Sequence, residues 1–152
     1  MISRILVPLD GSQLAECVLP YAEEMGQKLG AEVVLVSITD RVKGFLPLED
    51  LSERYGIKMI PETVCTADDQ AGQYLDAVKQ KLQKQGVKVS REVICGKTAE
   101  EITVFADTQH IDIVIMASHG RNGPSKLTHG KVVQEVLKKV RVPVIVVKGP
   151  GC

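Results

Sequence analysis

The sequence predicts an α/β protein: a five-stranded parallel, doubly wound sheet in strand order 3-2-1-4-5, with helices on both faces. Three observations carry this reading. Short apolar runs alternate with amphipathic stretches along the chain, the pattern of a parallel sheet covered on both sides. Ile111-Asp-Ile-Val-Ile-Met-Ala117 is almost continuously apolar, as a strand buried on both faces must be. That run then breaks into a glycine-bearing loop that reaches a new helical pattern at Gly130, and strand, glycine loop and helix N-terminus together make a phosphate site in α/β proteins.

The elements follow in order. Ile5-Leu-Val-Pro-Leu9 reads as the first strand. Gln13 to Leu29 has helical spacing, with Leu14, Val18, Tyr21, Ala22, Met25 and Leu29 on one face, Ser12 as N-cap and Gly30 as the residue that ends it. Glu32 to Ile38 is the second strand. Asp68 to Gln85 is a helix that buries Leu75, Val78 and Leu82. Val87 to Ile94 alternates, as an edge strand or one exposed on one side does. Thr98-Ala-Glu-Glu101 reads as a capping box opening a helix whose buried side is Ile102, Phe105 and Ala106. Ile111 to Ala117 is placed centrally in the sheet. Gly130 to Lys139 is the last helix and Val142 to Val147 the last strand. Thr39 to Ala67 fits neither period, although Leu51 to Tyr55 has room for one or two helical turns. A connection this long is either functional or a variable surface insertion; it leaves the carboxyl end of the second strand, within reach of the crevice described next.

In this strand order the switch point lies between strands 1 and 4, and ligands bind at the carboxyl ends there. Two segments meet at it: Pro8-Leu-Asp-Gly-Ser12 and Ala117-Ser-His-Gly120. From Ile113 to Gln134 the chain carries Arg121, Lys126 and Lys131 and no acid, against 19 basic and 19 acidic residues overall. An anion is the simplest partner for that local excess. Gly120 and Gly130 supply backbone geometry that lets amide groups approach an anion. His119 and Arg121 are candidate phosphate contacts, read otherwise as exposed side chains; Lys126 reads as a solvated charge.

Composition narrows the partners. A chain of 152 residues with 44% hydrophobic and 25% charged residues is expected to form one globular domain, 1–152. Zero net charge argues against broad duplex binding, and the lack of Trp, with few aromatics, argues against a stacking surface for single strands. No apolar run approaches the ~18 residues of a membrane span. Met1-Ile-Ser-Arg leads directly into a strand, so no signal peptide is expected and the cytoplasm is the default location. Cys17, Cys65, Cys95 and Cys152 form no CxxC pair and no zinc spacing. Neither a nucleophile elbow, nor a Gly-x4-Gly-Lys-Ser/Thr loop, nor an acidic cage for a metal is present, so no catalytic residue and no protein-held metal is expected.

Ile5 to Ser12, Ala117-Ser-His-Gly120 followed after nine residues by Gly130, and Val142-Pro-Val-Ile-Val-Val147 together resemble the universal stress protein family, along the whole chain. The resemblance implies the fold derived above. It also implies a cytoplasmic, dimeric stress-response regulator that binds ATP or AMP, with any Mg2+ carried by the phosphates. A branch of the family does without nucleotide. On this resemblance Asp10, with Pro8 and Leu9, lies beside the adenosine, and Ile38 walls the adenine. Met116, Ala117, His119, Gly120, Arg121 and Gly123, then Gly130, Lys131, Val132 and Val133, surround the phosphates. Asp10 reads equally as the turn-former of an Asp-Gly pair.

The nucleotide-binding pattern Gly-x2-Gly-x9-Gly-Ser/Thr falls on Ala117, Gly120, Gly130 and Lys131, so two positions depart from it. Ala117 costs little if its backbone is extended and ~1–2 kcal/mol if φ is positive. Lys131 either replaces the family hydroxyl as a phosphate ligand or points to water. The resemblance further implies a homodimer through the edge strand Val142–Lys148, where Pro143 removes a ladder donor and suits an edge. Three functions stay open: a nucleotide-binding regulator, a nucleotide-free dimer acting through protein contacts, and a slow ATP hydrolase.

Overall fold

The computed structural model describes residues 1–39, 48–56, 67–119 and 130–148. Its elements run β1 (Arg4–Pro8), a 3-10 turn (Ala15–Val18), α1 (Leu19–Leu29), β2 (Glu32–Thr39), α2 (Leu48–Tyr55), α3 (Ala67–Gln83), β3 (Lys88–Cys95), α4 (Thr98–Thr108), β4 (Ile113–Ala117), α5 (Lys131–Lys139) and β5 (Val144–Val147). The five strands are all parallel, in order β3-β2-β1-β4-β5, as expected.

Period-two alternation sorts the strand residues between two cores. Ile5, Val7, Val33, Leu35, Ile113 and Ile115 face α1 and α3 and pack on Val18, Ala22, Leu75 and Val78. Leu6, Val34, Val36, Val114 and Met116 face α4 and α5 and pack on Ile102, Ala106, Val133 and Val136. β4 is buried along its whole length. Among the described residues, no helix is long and apolar enough to cross a membrane.

Two expectations are corrected. Gln13 to Leu29 is not one helix: a 3-10 turn precedes α1, and Pro20 sits in the first turn of α1. Proline has no N–H to donate back to Glu16, so an α-helical ladder cannot run through this point and starts afresh at Leu19. Ser12 is not the N-cap either: its Oγ accepts from the Ala15 N–H at 3.2 Å, but Leu14 caps the 3-10 turn without a side-chain bond and Val18 caps α1. Gly30 ends α1 at φ 63°, as expected.

The capping box at Thr98 is absent. Lys97 is the N-cap, with no side-chain cap bond, and Thr98 is already helical. Glu101 is thereby shifted one position too far along to reach back, and its side chain lies against Gly96 instead.

Candidate functional site

The crevice is built by where β1 sends its chain. β1 keeps register with β4 only at Ile5–Ile113 and Leu6–Val114, but with β2 as far as Pro8–Val36. Beyond Pro8 both backbone groups of Leu9 still belong to β2. Its N–H donates to the Val36 carbonyl at 2.8 Å, and its carbonyl accepts from the buried Ser37 hydroxyl at 2.7 Å. The end of β1 therefore follows β2, and its β4 side carries no further ladder partners.

Asp10 then forms a tight turn. Its Oδ1 accepts from the Ser12 N–H at 3.0 Å and from the Ser12 hydroxyl, around Gly11 at φ 85°. The turn-forming role weighed for Asp10 is thus real. It occupies Oδ1.

The opposite wall is the end of β4. The Ser118 N–H donates to Val147 on β5 at 2.9 Å, and the Ser118 carbonyl accepts from the Gly130 N–H at 2.5 Å. This second bond staples the start of α5 onto the end of β4. It also explains the glycine: a Cβ at Gly130 would lie 2.9 Å from the Ser118 oxygen. Gly130 has φ −64° and ψ 160°, which any residue adopts, so close approach and not backbone freedom requires it.

Gly130 is the N-cap, and Lys131, Val132 and Val133 form the first turn of α5, where amides have no intrahelical acceptor. No acid lies in that turn. Lys131 is exposed there, and Val133, a predicted site residue, is a core residue. Ala117 is the last residue of extended β4, so the low-cost reading of the Ala-for-Gly replacement holds.

His119 is only 4% exposed and shares a 3.2 Å hydrogen bond between Nδ1 and the Ser118 hydroxyl. Among the described residues, its Nε2 has no hydrogen-bond partner. A buried ring nitrogen without a hydrogen bond costs ~1–3 kcal/mol, and this one lies beside Gly130. Ile38 is half-buried near the end of β2, packed against the α4–α5 core. Pro8 ends β1 and Met116 is buried on β4. Gly120, Arg121, Gly123 and Lys126 lie outside the described residues. So do Cys65 and Cys152, while Cys17 is half-buried and Cys95 exposed.

Sequence reasoning missed a polar cluster beside the Asp10 turn. Glu16 accepts from Arg54 Nη1 at 2.8 Å, from the Tyr74 hydroxyl at 2.8 Å and from the Tyr55 hydroxyl. Arg54 Nη2 donates to the Gly11 carbonyl. Burial, reinforced by the Glu16 carboxylate, pushes both tyrosine hydroxyls far above their ordinary range, so they remain donors. The available signal was Tyr74, an aromatic with a polar tip beside Leu75, which a buried helix face places only where a partner exists. α2 thus packs on the α1–α3 side of the turn. Residues 40–47 and 57–66 of the same connection lie outside the described residues.

Known proteins share this architecture. The family model described as the universal stress protein family matches residues 1–148. Universal stress protein MJ0531 of Methanocaldococcus jannaschii is 28% identical over 150 residues, covering 99% of this chain and 84% of the relative. The solved structure of MJ0577 from the same organism superposes with a TM-score of 0.78 at 28% identity, covering 100% of this chain and 99% of that one. A universal stress protein from Archaeoglobus fulgidus in complex with dAMP superposes with a TM-score of 0.63, covering 96% and 97%, and at 20% identity that likeness is one of fold. With the parallel order β3-β2-β1-β4-β5 and a family match over nearly its full length, the chain belongs to the universal stress protein family.

Proposed function

We propose that this chain is an adenine-nucleotide-binding regulator of the stress response, working as a homodimer without efficient catalysis. The observation that carries the reading is the staple between Ser118 and Gly130. It sets the open amides of α5 beside β4, with an acid-free first turn and the unpartnered Nε2 of buried His119 next to them. An anion answers all three, because amides, helix dipole and ring nitrogen each gain from negative charge or an acceptor.

Adenosine takes the other end of the crevice, at Pro8, Leu9, Asp10 and Ile38. The relative from Archaeoglobus fulgidus holds dAMP on the same fold, which is the ligand class assigned here. Lys131 at the first position of α5 is disfavoured by the helix dipole by ~0.3–1 kcal/mol unless an anion shares the site, so it serves as the phosphate contact that stands in for the family hydroxyl.

Calorimetric titration with ATP, AMP and adenosine, with and without Mg2+, tests the proposal. ATP and AMP are expected to bind. Lys131→Ala is expected to weaken ATP by about tenfold, the scale of one charge-assisted hydrogen bond of ~1.5 kcal/mol, and to leave adenosine unchanged. Absence of heat and of a thermal shift at millimolar nucleotide favours the nucleotide-free dimer instead.

A further inference from the structure

We propose that Arg54 is a positioning residue for the nucleotide: carried by α2 and oriented by Glu16, its guanidinium holds the Gly11 carbonyl and so fixes the Asp10 turn at the mouth of the crevice. The inference rests on the adenine-nucleotide reading and assigns it a residue from the long connection after β2.

Asp10 Oδ1 takes both donors of Ser12, and Ser12 Oγ takes the Ala15 N–H. Gly11 stands between them at φ 85° and is itself buried. A free carbonyl at such a position lets the turn rock about Gly11. Arg54 Nη2 donates to that oxygen while Nη1 donates to Glu16 Oε2 at 2.8 Å. One planar fork thus ties the Asp10 turn to the 3-10 turn that follows it. A lysine ammonium at the end of a flexible stem cannot hold two acceptors in a fixed plane.

The fork is itself fixed. The side chains of Arg54 and Glu16 are 13% and 16% exposed. The guanidinium carbon stands 5.5 Å from the centre of the Tyr55 ring, and Tyr55 meets Tyr74 edge to face at 5.4 Å. The tyrosine hydroxyls fill the other acceptor sites of Glu16. The contact to Gly11 acts on the loop that carries Asp10.

The test uses the full chain, with Arg54→Met, which keeps the stem, and Arg54→Lys, which keeps the charge. Affinities for adenosine, AMP and ATP are measured, and amide hydrogen exchange is followed at Ser12, Ala15 and Leu9. Arg54→Met is expected to weaken all three ligands by about tenfold or more and to leave the ratio of ATP to adenosine affinity unchanged, whereas Lys131→Ala changes that ratio. Exchange at Ser12 and Ala15 is expected to accelerate at least tenfold while Leu9, bonded to β2, stays protected. Arg54→Lys is expected to recover only part of either effect. A lower melting temperature with unchanged affinities and unchanged Ser12 and Ala15 exchange overturns the proposal, since α2 is then merely docked. A wild type that binds no adenine compound overturns the nucleotide reading alone; the exchange measurement still decides whether Arg54 fixes the turn.

Discussion

Gly130→Ala sets two physical effects of opposite sign against each other. At φ −64° and ψ 160° the backbone suits alanine. Conformational entropy alone therefore makes the substitution stabilising, by ~0.4–1 kcal/mol through the unfolded chain. The added Cβ, however, meets the Ser118 carbonyl oxygen at 2.9 Å and His119 Cα at 3.6 Å. Both are backbone atoms that cannot swing aside like the end of a flexible side chain. Relieving the contact means prying α5 from β4. That costs ~1–3 kcal/mol in strain and ~0.5–1.5 kcal/mol in the weakened Gly130–Ser118 hydrogen bond.

The steric side wins, and the net loss is ~1–3 kcal/mol. For a chain of this size each kcal/mol moves the melting temperature by ~2–4 °C, so a fall of about 2–12 °C is expected by calorimetry. The same displacement moves the open amides of α5, so AMP affinity falls with it. A variant as stable as the wild type, or more stable, refutes the staple as the reason for glycine here.

Acid stability depends on Asp112, whose Oδ2 accepts from the Ser3 N–H at 2.8 Å, the Ser3 hydroxyl at 2.9 Å and the Arg4 N–H at 2.9 Å, tying β1 to β4 at their amino ends. The backbone bonds from Ser3 and Arg4 hold its carboxyl below the usual carboxylate range. A depressed folded value means stability that is present above the ordinary Asp pKa of about 3.9 and is lost as pH falls through the folded one. In urea melts Asp112→Asn should be less stable than wild type near neutrality and converge with it in strong acid; a gap independent of pH contradicts this. β5 ends the strand order, with Val144 and Val146 half-buried against the α4–α5 core. Wild type is expected to sediment as a dimer at micromolar concentration and Val144→Lys/Val146→Lys as a monomer or to lose solubility, while a monomeric wild type removes the Val142–Lys148 contact.

The sheet was legible because each strand carries its own evidence. Ile5, Leu6 and Val7, or Ile113, Val114 and Ile115, must be apolar on both sides to lie between two helical layers, and that leaves an unbroken apolar run. The ends of helices were less legible, because they turn on single atoms. Pro20 breaks what spacing alone reads as one helix, and a shift of one residue at Lys97 turns a capping box into an exposed contact.

At the candidate site, the order of the strands was legible in the sequence, but the reason Gly130 is glycine was misjudged. A 2.9 Å approach to another part of the chain leaves no local trace, and a positive φ was absent. α2 was hardest to read, since among its described side chains the anchors are Arg54 and Tyr55, seated on Glu16. Periodicity searches look for an apolar stripe, and these anchors are polar.

The central claim is a nucleotide between the end of β1 and the start of α5. Amide chemical-shift mapping of the labelled protein, titrated with AMP, tests it directly. Saturating shifts are expected at Leu9, Asp10 and Ile38 and at Ala117, His119 and Gly130 to Val133, with β3 and the amino ends of the strands unmoved. Saturating shifts confined to other surfaces, or none at millimolar AMP, would contradict it.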